Sequence, residues 1–302
     1  MPAAAAAVAA AGRHGRAAAA AGLSKTSGVS PFPMVEAFCL MEHARATGAP
    51  VGDLVEQRLQ GKPLQLVVGT QPFADLDVAC LAGQCIPRPE TEQWCAWLAA
   101  RLTTWTSPPA ISVLEVGSGT GCVSLALARA LPTTRVVGID TSPAAVQQSR
   151  LNAAGQRNVV FERVTVDADG SWVPRALALN DGARYDVIVS NPPYVPEHMW
   201  RRVDRSVRRW ESPAVLYGGH LGLDVARHVI AAAPDLLRPS AASSSSSSPS
   251  IVVECGYEFQ TVALKRWMRS VGLDDVEHHY DYAGRPRWVS AVQPPFVVDA
   301  PG

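Results

Sequence analysis

In the segment Ile111-Ser-Val-Leu-Glu-Val-Gly-Ser-Gly-Thr-Gly121, a short apolar run leads into a glycine-rich turn. The apolar, alanine-rich segment from Cys122 to Leu131 predicts a helix, and Pro132 predicts its end. A strand, a glycine-rich turn and a helix in this order form the first unit of a doubly wound α/β sheet, with a ligand at the carboxyl end of the strand. Glycines let the backbone approach that ligand closely.

The spacing of the glycines separates two kinds of ligand. A dinucleotide fingerprint requires glycines at its first, third and sixth positions, and the sixth position here is Cys122. The spacing is instead Gly-x-Gly-x-Gly, which resembles the S-adenosylmethionine turn of class I methyltransferases. The cofactor-binding residues that this resemblance implies in and before the turn are Glu115, Gly117, Ser118, Gly119, Thr120 and Gly121.

The next predicted strand, Arg135 to Asp140, ends in an acid. An acid about 20 residues after the turn is typical of a carboxylate that accepts hydrogen bonds from ribose hydroxyls. Asp140 has a second interpretation as the cap of a helix that starts near Pro143. The spacing favours the ribose role, and both roles are compatible with one side chain.

A third predicted strand, Val159 to Val166, leads to Asp167 and Trp172. An acid and an aromatic ring at this position can hold an adenine, with the acid at its amine edge and the ring on its face. The alternative is a surface Asx turn beside a partly buried tryptophan, and the sequence leaves both interpretations open.

The fourth predicted strand, Tyr185 to Ser190, delivers Asn191-Pro192-Pro193-Tyr194 to the same edge of the sheet. The side-chain oxygen of Asn191 and the carbonyl of Pro192 can both accept hydrogen bonds from one NH2 group, because proline has no N–H to compete. The prolines fix φ, and the Tyr194 ring offers a flat apolar face. This segment predicts catalytic chemistry on a planar, conjugated amine or carboxamide.

Four segments in this order resemble HemK/PrmC-type methyltransferases, and the resemblance covers roughly residues 54–292. They are Ile86-Pro-Arg-Pro-Glu-Thr-Glu92, the Gly-x-Gly-x-Gly turn, Asn191 to Tyr194 and Gly218-Gly-His-Leu-Gly-Leu-Asp224. Members of this family methylate the glutamine of the Gly-Gly-Gln loop in peptide chain release factors. The resemblance implies a Rossmann-like, mostly parallel sheet with an antiparallel final strand, and a release factor as the protein substrate.

Two other functions remain as alternatives. Amine methyltransferases that act on nucleic acids share the Asn-Pro-Pro-Tyr segment, and a catalytically inert protein can keep the cofactor-binding fold. Duplex DNA binding draws on phosphate neutralisation by a basic face, and a DNA adenine methyltransferase must also extrude its base. No recognition domain is evident in this sequence, so we expect no DNA partner.

The dense basic cluster comprises Arg201, Arg202, Arg205, Arg208 and Arg209. At helical spacing three of them, Arg201, Arg205 and Arg208, are expected to share one face. The cluster is interpreted either as a solvated helix with internal ion pairs or as a docking patch for an acidic protein substrate.

We predict three segments: 1–33 as a transit-peptide-like or disordered segment, 34–86 as a small helical and hairpin element for substrate docking, and 87–302 as the methyltransferase domain. Met34 to Ala46 and Val51 to Gln60 are predicted helices, and the Gly69–Cys85 stretch is a predicted hairpin. Residues 239–250 form a serine-rich, low-complexity loop. Related enzymes have a longer N-terminal helical domain, so this element is expected to dock the substrate differently.

Composition bears on compartment and partners. The first 33 residues are rich in alanine and contain three basic residues and no acid, which is typical of an organellar transit peptide. A mitochondrial destination is favoured over a plastid, and a cytoplasmic one follows if this segment is not a transit peptide. Without these three, 24 basic residues stand against 27 acidic ones. No apolar run approaches the ~20 residues of a membrane span. Six cysteines lack metal-site spacing, so we expect no metal or disulfide, and a monomer.

Overall fold

The computed structural model describes residues 33–105, 111–239 and 248–295. They form two compact units. In its described part, the smaller unit contains residues 33–70, 80–83 and 204–210, and the larger unit contains the rest.

The strands, in chain order, are β1 (Thr70–Phe73), β2 (Leu76–Ala79), β3 (Ser112–Val116), β4 (Arg135–Asp140), β5 (Val159–Arg163), β6 (Val187–Ser190), β7 (Ile251–Glu254), β8 (Asp274–Tyr280) and β9 (Pro286–Val292). The helices are α1 (Pro33–Thr47), α2 (Val51–Leu59), α3 (Leu64–Val68), α4 (Pro89–Thr103), α5 (Cys122–Ala130), α6 (Pro143–Asn152), α7 (Val173–Ala178), α8 (Arg205–Trp210), α9 (Asp224–Leu236) and α10 (Glu258–Ser270). Two 3-10 helices occupy Glu197–Arg202 and Pro213–Val215.

The larger unit is built on a seven-stranded sheet with the order β5-β4-β3-β6-β7-β9-β8. Strands β3, β4, β5, β6 and β7 pair in parallel, and β9 pairs antiparallel with both β7 and β8. The predicted α/β class I methyltransferase fold with an antiparallel final strand is therefore confirmed. Strand β8 was missed because its polar sequence buries only Val276 and carries no apolar run.

Both faces of the sheet are covered, which explains the nearly continuous apolar sequence of its central strands. Successive residues of β3 point to opposite faces. Val113 packs in the core that contains Trp94 and Leu98 of α4. Leu114 packs in the core on the other face, which contains Val229 of α9.

The hairpin of β1 and β2 belongs mainly to the larger unit, unlike the predicted element 34–86. Phe73 and Val78 are buried in the core that contains Trp94. The backbone of Ala79 also bonds to α6, since its carbonyl accepts from Gln148 Nε2 at 2.6 Å and its N–H donates to Asn152 Oδ1 at 3.0 Å. Such distant partners set this boundary, and they cannot be identified from local sequence.

The smaller unit contains the first two predicted helices, which the structure confirms to within two residues at each end. Its core is small and consists of Ala37, Leu40, Ala44, Leu54 and Val67. A bidentate ion pair also stabilises this unit: Arg58 Nε and Nη2 donate to the two carboxylate oxygens of Glu36 at 2.8 and 3.0 Å.

The expected single helix through the arginine cluster is not formed. The 3-10 helix of Glu197–Arg202 ends at Val203, whose backbone is extended (φ −61°, ψ 137°). The helical conformation is therefore broken before α8 begins. Helical spacing therefore does not place Arg201 on one face with Arg205 and Arg208. None of the helices in the described ranges is long and apolar enough to cross a membrane.

Candidate active site

Three parallel strands of the larger unit end side by side, and each is followed by a predicted site segment. Val116 of β3 pairs with Ile139 of β4 and with Ser190 of β6. The Ser190 hydroxyl also donates to the Val116 carbonyl at 2.8 Å. This register brings the glycine-rich turn, Asp140 and Asn191 to one edge of the sheet.

The glycine-rich turn is held by hydrogen bonds to the backbone of β4 and has positive φ angles. Gly117, Gly119 and Gly121 have φ of 80°, 51° and 81°, a region that side chains disfavour. The N–H groups of Gly117 and Ser118 donate to the Ile139 carbonyl at 2.8 and 3.0 Å. A Cβ at Gly119 would have no atom within 4 Å, so the turn presents open backbone at this edge.

Asp140 is anchored by the turn that it follows. Its Oδ2 accepts from the Gly119 N–H at 2.9 Å, and its Oδ1 accepts from the Ser142 N–H at 2.8 Å. Ser142, rather than Asp140, caps α6 by accepting from the Ala145 N–H. Burial raises the pKa of the Asp140 carboxyl, and the backbone hydrogen bonds oppose that shift. Each oxygen keeps a lone pair for a further donor, as a ribose hydroxyl requires.

Glu115, just before the turn, and Ser118, within it, are both buried. The Glu115 Oε2 accepts from both the N–H and the hydroxyl of Ser124, the former at 3.0 Å, so this carboxyl fixes the start of α5. Burial raises its pKa to about 8. Thr120 is also buried, and the buried Ser118 hydroxyl finds no partner in the described ranges.

Asp167 and Trp172 have different environments. The Asp167 Oδ2 accepts from the Ser171 hydroxyl at 2.8 Å, whereas its buried Oδ1 has no hydrogen-bond partner among the described residues. The Ser171 N–H bonds to Asp169 Oδ1 in an Asx turn. Trp172 is 3% exposed and packs in the core with Val164. The geometry favours the structural alternative for Trp172 and leaves Asp167 as the candidate adenine contact.

The Asn191–Tyr194 turn directly adjoins the glycine-rich turn, since a Cβ at Gly117 would lie 3.8 Å from the Asn191 carbonyl oxygen. The Asn191 Nδ2 donates to Thr91 Oγ1 of α4 at 3.1 Å. Among the described residues, no hydrogen bond reaches the Asn191 Oδ1.

A second glycine-rich segment, residues 218–222, packs against the backbone of this turn. A Cβ at Gly218 would collide with the Pro193 carbonyl, and one at Gly222 would collide with the Tyr194 carbonyl. The Gln260 Nε2 donates to the Tyr194 carbonyl at 2.8 Å and also reaches the carbonyls of Leu221 and Gly222. Glycines therefore let this segment touch the backbone of the turn.

The Tyr194 ring lies on bare backbone, because a Cβ at Gly256 would stand 2.8 Å from the ring atoms Cδ2 and Cε2. Burial raises the pKa of its phenol, so the ring stays neutral and cannot serve as a base near neutral pH. In this geometry the ring packs against the backbone of Gly256.

Three neighbours of the site were not identified from the sequence: Thr91, Glu254 and Gln260. Glu254 had a usable signal, because it is an acid at the end of an apolar strand, as Glu115 is. Thr91 lies in the Arg88–Glu92 segment, whose sequence predicts a helix start and packing over the cofactor; the helix start is confirmed, with Pro89 in the first turn of α4. Gln260 had no local signal, since its partners Tyr194 and Leu221 are distant in sequence.

Comparison with known proteins agrees with this geometry. A family model described as a methyltransferase domain matches residues 114–221. Solved structures that share the fold include the hMettl16 catalytic domain in complex with the MAT2A 3′UTR hairpin 6, with a TM-score of 0.55 and 14% identity over 91% of this chain and 86% of that one. The human methyltransferase 10 domain containing protein has a TM-score of 0.50 and 14% identity over 72% of this chain and 88% of that one.

Curated relatives are considerably more similar in sequence. The release factor glutamine methyltransferase of Geobacter sulfurreducens is 37% identical over 62% of this chain and 61% of its own length. The MTRF1L release factor glutamine methyltransferase of Homo sapiens is 32% identical over 79% of this chain and 70% of its own length. The release factor glutamine methyltransferase of Mycolicibacterium smegmatis is 33% identical over 86% of this chain and 82% of its own length. The chain therefore belongs to the family of release factor glutamine methyltransferases.

Proposed function

We propose that this protein transfers a methyl group from S-adenosylmethionine to the side-chain amide nitrogen of the glutamine in the Gly-Gly-Gln loop of a peptide chain release factor. The observation that carries this proposal is the state of Asn191. Its NH2 group is engaged by Thr91, which leaves its side-chain oxygen beside the Pro192 carbonyl as an acceptor for a substrate NH2.

The residues at the sheet edge fit the cofactor. The open backbone at Gly119 admits a ligand, Asp140 has lone pairs for the ribose hydroxyls, and the unpartnered Asp167 Oδ1 suits the adenine amine. Gly117, Ser118, Thr120 and Gly121 shape this turn, and Glu115 acts through α5. When bound, S-adenosylmethionine supplies a methyl group on a positively charged sulfur. We assign no metal to this site.

The residues of the Asn191–Tyr194 turn bind and orient the glutamine. Its two N–H groups donate to Asn191 Oδ1 and to the Pro192 carbonyl, which increases electron density on the nitrogen and fixes its direction of attack. Pro193 stiffens the turn, and Tyr194 provides a flat face for the amide. No strong base is required, because the nitrogen becomes far more acidic as it gains the methyl group.

The test is to incubate the purified protein with S-adenosylmethionine and an organellar-type release factor, then to analyse the Gly-Gly-Gln peptide by mass spectrometry. We expect one added methyl group on the glutamine, and none with Asn191→Ala. Cofactor binding, measured by calorimetry, confirms that this variant is folded. An unmodified glutamine despite cofactor binding by the wild-type protein would contradict the proposal and make nucleic-acid amines the next substrates.

We further propose an organellar location, mitochondrial rather than plastid, on the basis of the acid-poor segment 1–33, which lies outside the described residues except for Pro33. A fluorescent protein fused to residues 1–33 should enter mitochondria. A cytoplasmic signal would contradict this location.

We also propose that the enzyme works as a monomer without DNA, because residues 34–302 carry a small acidic excess. Light scattering and salt-dependent DNA binding test these two points.

A further inference from the structure

Asn191 is the first member of a hydrogen-bond chain that continues away from the site. Its Nδ2 donates to Thr91 Oγ1 at 3.1 Å, and the Thr91 hydroxyl donates to Glu254 Oε2 at 2.7 Å. The same carboxylate oxygen accepts from Trp94 Nε1 at 2.7 Å. Thr91 and Glu254 are 2% and 1% exposed, so water does not compete for these bonds.

The chain has a direction that follows from counting protons. A threonine hydroxyl has one proton, and here that proton is directed at Glu254. Only lone pairs remain on the side of Thr91 that faces Asn191. The group that approaches them must therefore be a donor, which means the NH2 end of the Asn191 amide.

This direction determines what the substrate meets. The oxygen and the nitrogen of a carboxamide lie on opposite sides of one bond, and a rotation of about 180° exchanges them at little steric cost. In the observed orientation Oδ1 is available as an acceptor. In the rotated orientation an NH2 group would face the substrate's NH2 group, and two donors cannot bond to each other.

We propose that Thr91 and Glu254 are positioning residues that set the orientation of the Asn191 amide, and so make it an acceptor for the substrate amide. This inference rests on the proposed function. Neither residue touches the substrate; Thr91 acts through Asn191, and Glu254 acts through Thr91.

The surroundings of Glu254 support an acceptor role. Trp94 Nε1 can only donate, so Glu254 Oε2 accepts from it, and the same oxygen accepts from the Thr91 hydroxyl. Arg287 lies close enough to attract the carboxylate, although burial raises the Glu254 pKa to about 7. A carboxylate oxygen carries no proton, so in this form of Glu254 the Thr91 hydroxyl must be the donor, and its direction is fixed.

The test compares three variants, two at Thr91 and one at a control position. Thr91→Val removes the hydroxyl and keeps the volume, whereas Thr91→Ser keeps the hydroxyl. Thr134→Val is a matched control, since Thr134 is equally buried but precedes β4 at the opposite end of that strand. We expect Thr91→Val to lower kcat about 100-fold, with KM for the release factor and Kd for the cofactor within about 2-fold of wild type.

Rescue distinguishes orientation from packing. We expect Thr91→Ser to retain kcat within about 3-fold, and Thr134→Val to match the wild type. The inference is overturned if Thr91→Val turns over as fast as Thr134→Val, if Thr91→Ser is as slow as Thr91→Val, or if Thr91→Val loses cofactor binding.

A readout without turnover separates this inference from the proposed function. In the wild-type protein, nuclear Overhauser effects should connect the side-chain NH2 protons of Asn191 with the methyl group of Thr91, and in Thr91→Val the NH2 resonances should report exchange between two orientations. A wild-type protein that shows these contacts but does not methylate a release factor refutes the proposed function and leaves the orientation standing. Absence of the contacts in the wild type refutes the orientation.

Discussion

The two turns at the edge of the sheet are held in opposite ways. The glycine-rich turn, residues 117–121, is fixed by neighbouring backbone, chiefly the Ile139 carbonyl, and by its positive φ angles. The Asn191–Tyr194 turn is fixed by side chains and glycines from distant segments, including Thr91 and Gln260. The first turn is therefore a local structure, for which we propose cofactor binding, and the second is an assembled structure whose accuracy depends on the whole unit.

The largest expected effect comes from breaking the assembled turn. Gly218→Ala places a Cβ against the Pro193 carbonyl group, only 2.8 Å from its carbon atom, so the turn must move. We expect turnover to fall about 10²- to 10³-fold while cofactor binding is retained. Gly52→Ala is the control, because a Cβ there meets nothing within 4 Å. Equal turnover of the two variants would show that the turn does not depend on this support.

A smaller effect is expected from breaking the local turn. Asp140→Ala removes the acceptor for the Gly119 and Ser142 N–H groups and for the ribose. Since hydrogen bonds to charged groups contribute about 1.5–3 kcal/mol, we expect the Kd for S-adenosylmethionine to rise about 10- to 100-fold. Calorimetry measures this change against Asp235→Ala, an exposed acid in α9. An unchanged Kd would refute the ribose assignment.

Gln260 is expected to matter less, because the glycine contacts remain when it is lost. Gln260→Leu leaves the buried Tyr194 and Gly222 carbonyls without this donor. We expect a loss of about 1–3 kcal/mol in the free energy of unfolding and about tenfold in turnover. Urea unfolding and steady-state rates measure both, with exposed Gln60→Leu as the control. A stability loss without any loss of turnover would mean that Gln260 serves the core alone.

The last prediction concerns the pH dependence of stability, through the Glu115 carboxyl just before the glycine-rich turn. Burial raises the pKa of Glu115 from 4.5 to about 8. Between these values the folded protein keeps a proton that the unfolded chain releases, so this contribution to stability falls as the pH rises towards 8. Glu115→Gln keeps an acceptor for Ser124 and cannot titrate. We expect wild type to lose up to about 3 kcal/mol relative to this variant between pH 5 and pH 8. The free energy of unfolding is measured against pH for both proteins. The same pH dependence in wild type and Glu115→Gln would contradict a protonated Glu115.

Local structure was predictable from the sequence, and the assembled turn was only partly so. Apolar runs that end in Glu115-Val116, Asp140 and Ser190 indicated three parallel strands. Strand β3 is mostly apolar because its successive residues enter the cores on opposite faces of the sheet. Pairing of Asn191 with Thr91 spans 100 positions, and no spacing rule connects them. The Trp172 ring suits both a ligand face and a core, and its burial beside Val164 depends on tertiary packing that local sequence does not show.

The placement of β9 has a consequence for how the chain reaches its native state. This strand follows β8 in sequence but lies between β7 and β8 in the sheet. Until Pro286–Val292 docks, the edge of β7 exposes unpaired N–H and C=O groups next to Glu254, and such an edge is a template for pairing with another chain. We therefore expect that any intermediate in which β9 has not docked aggregates at β7, and that chaperones that shield open strand edges raise the yield of folded protein.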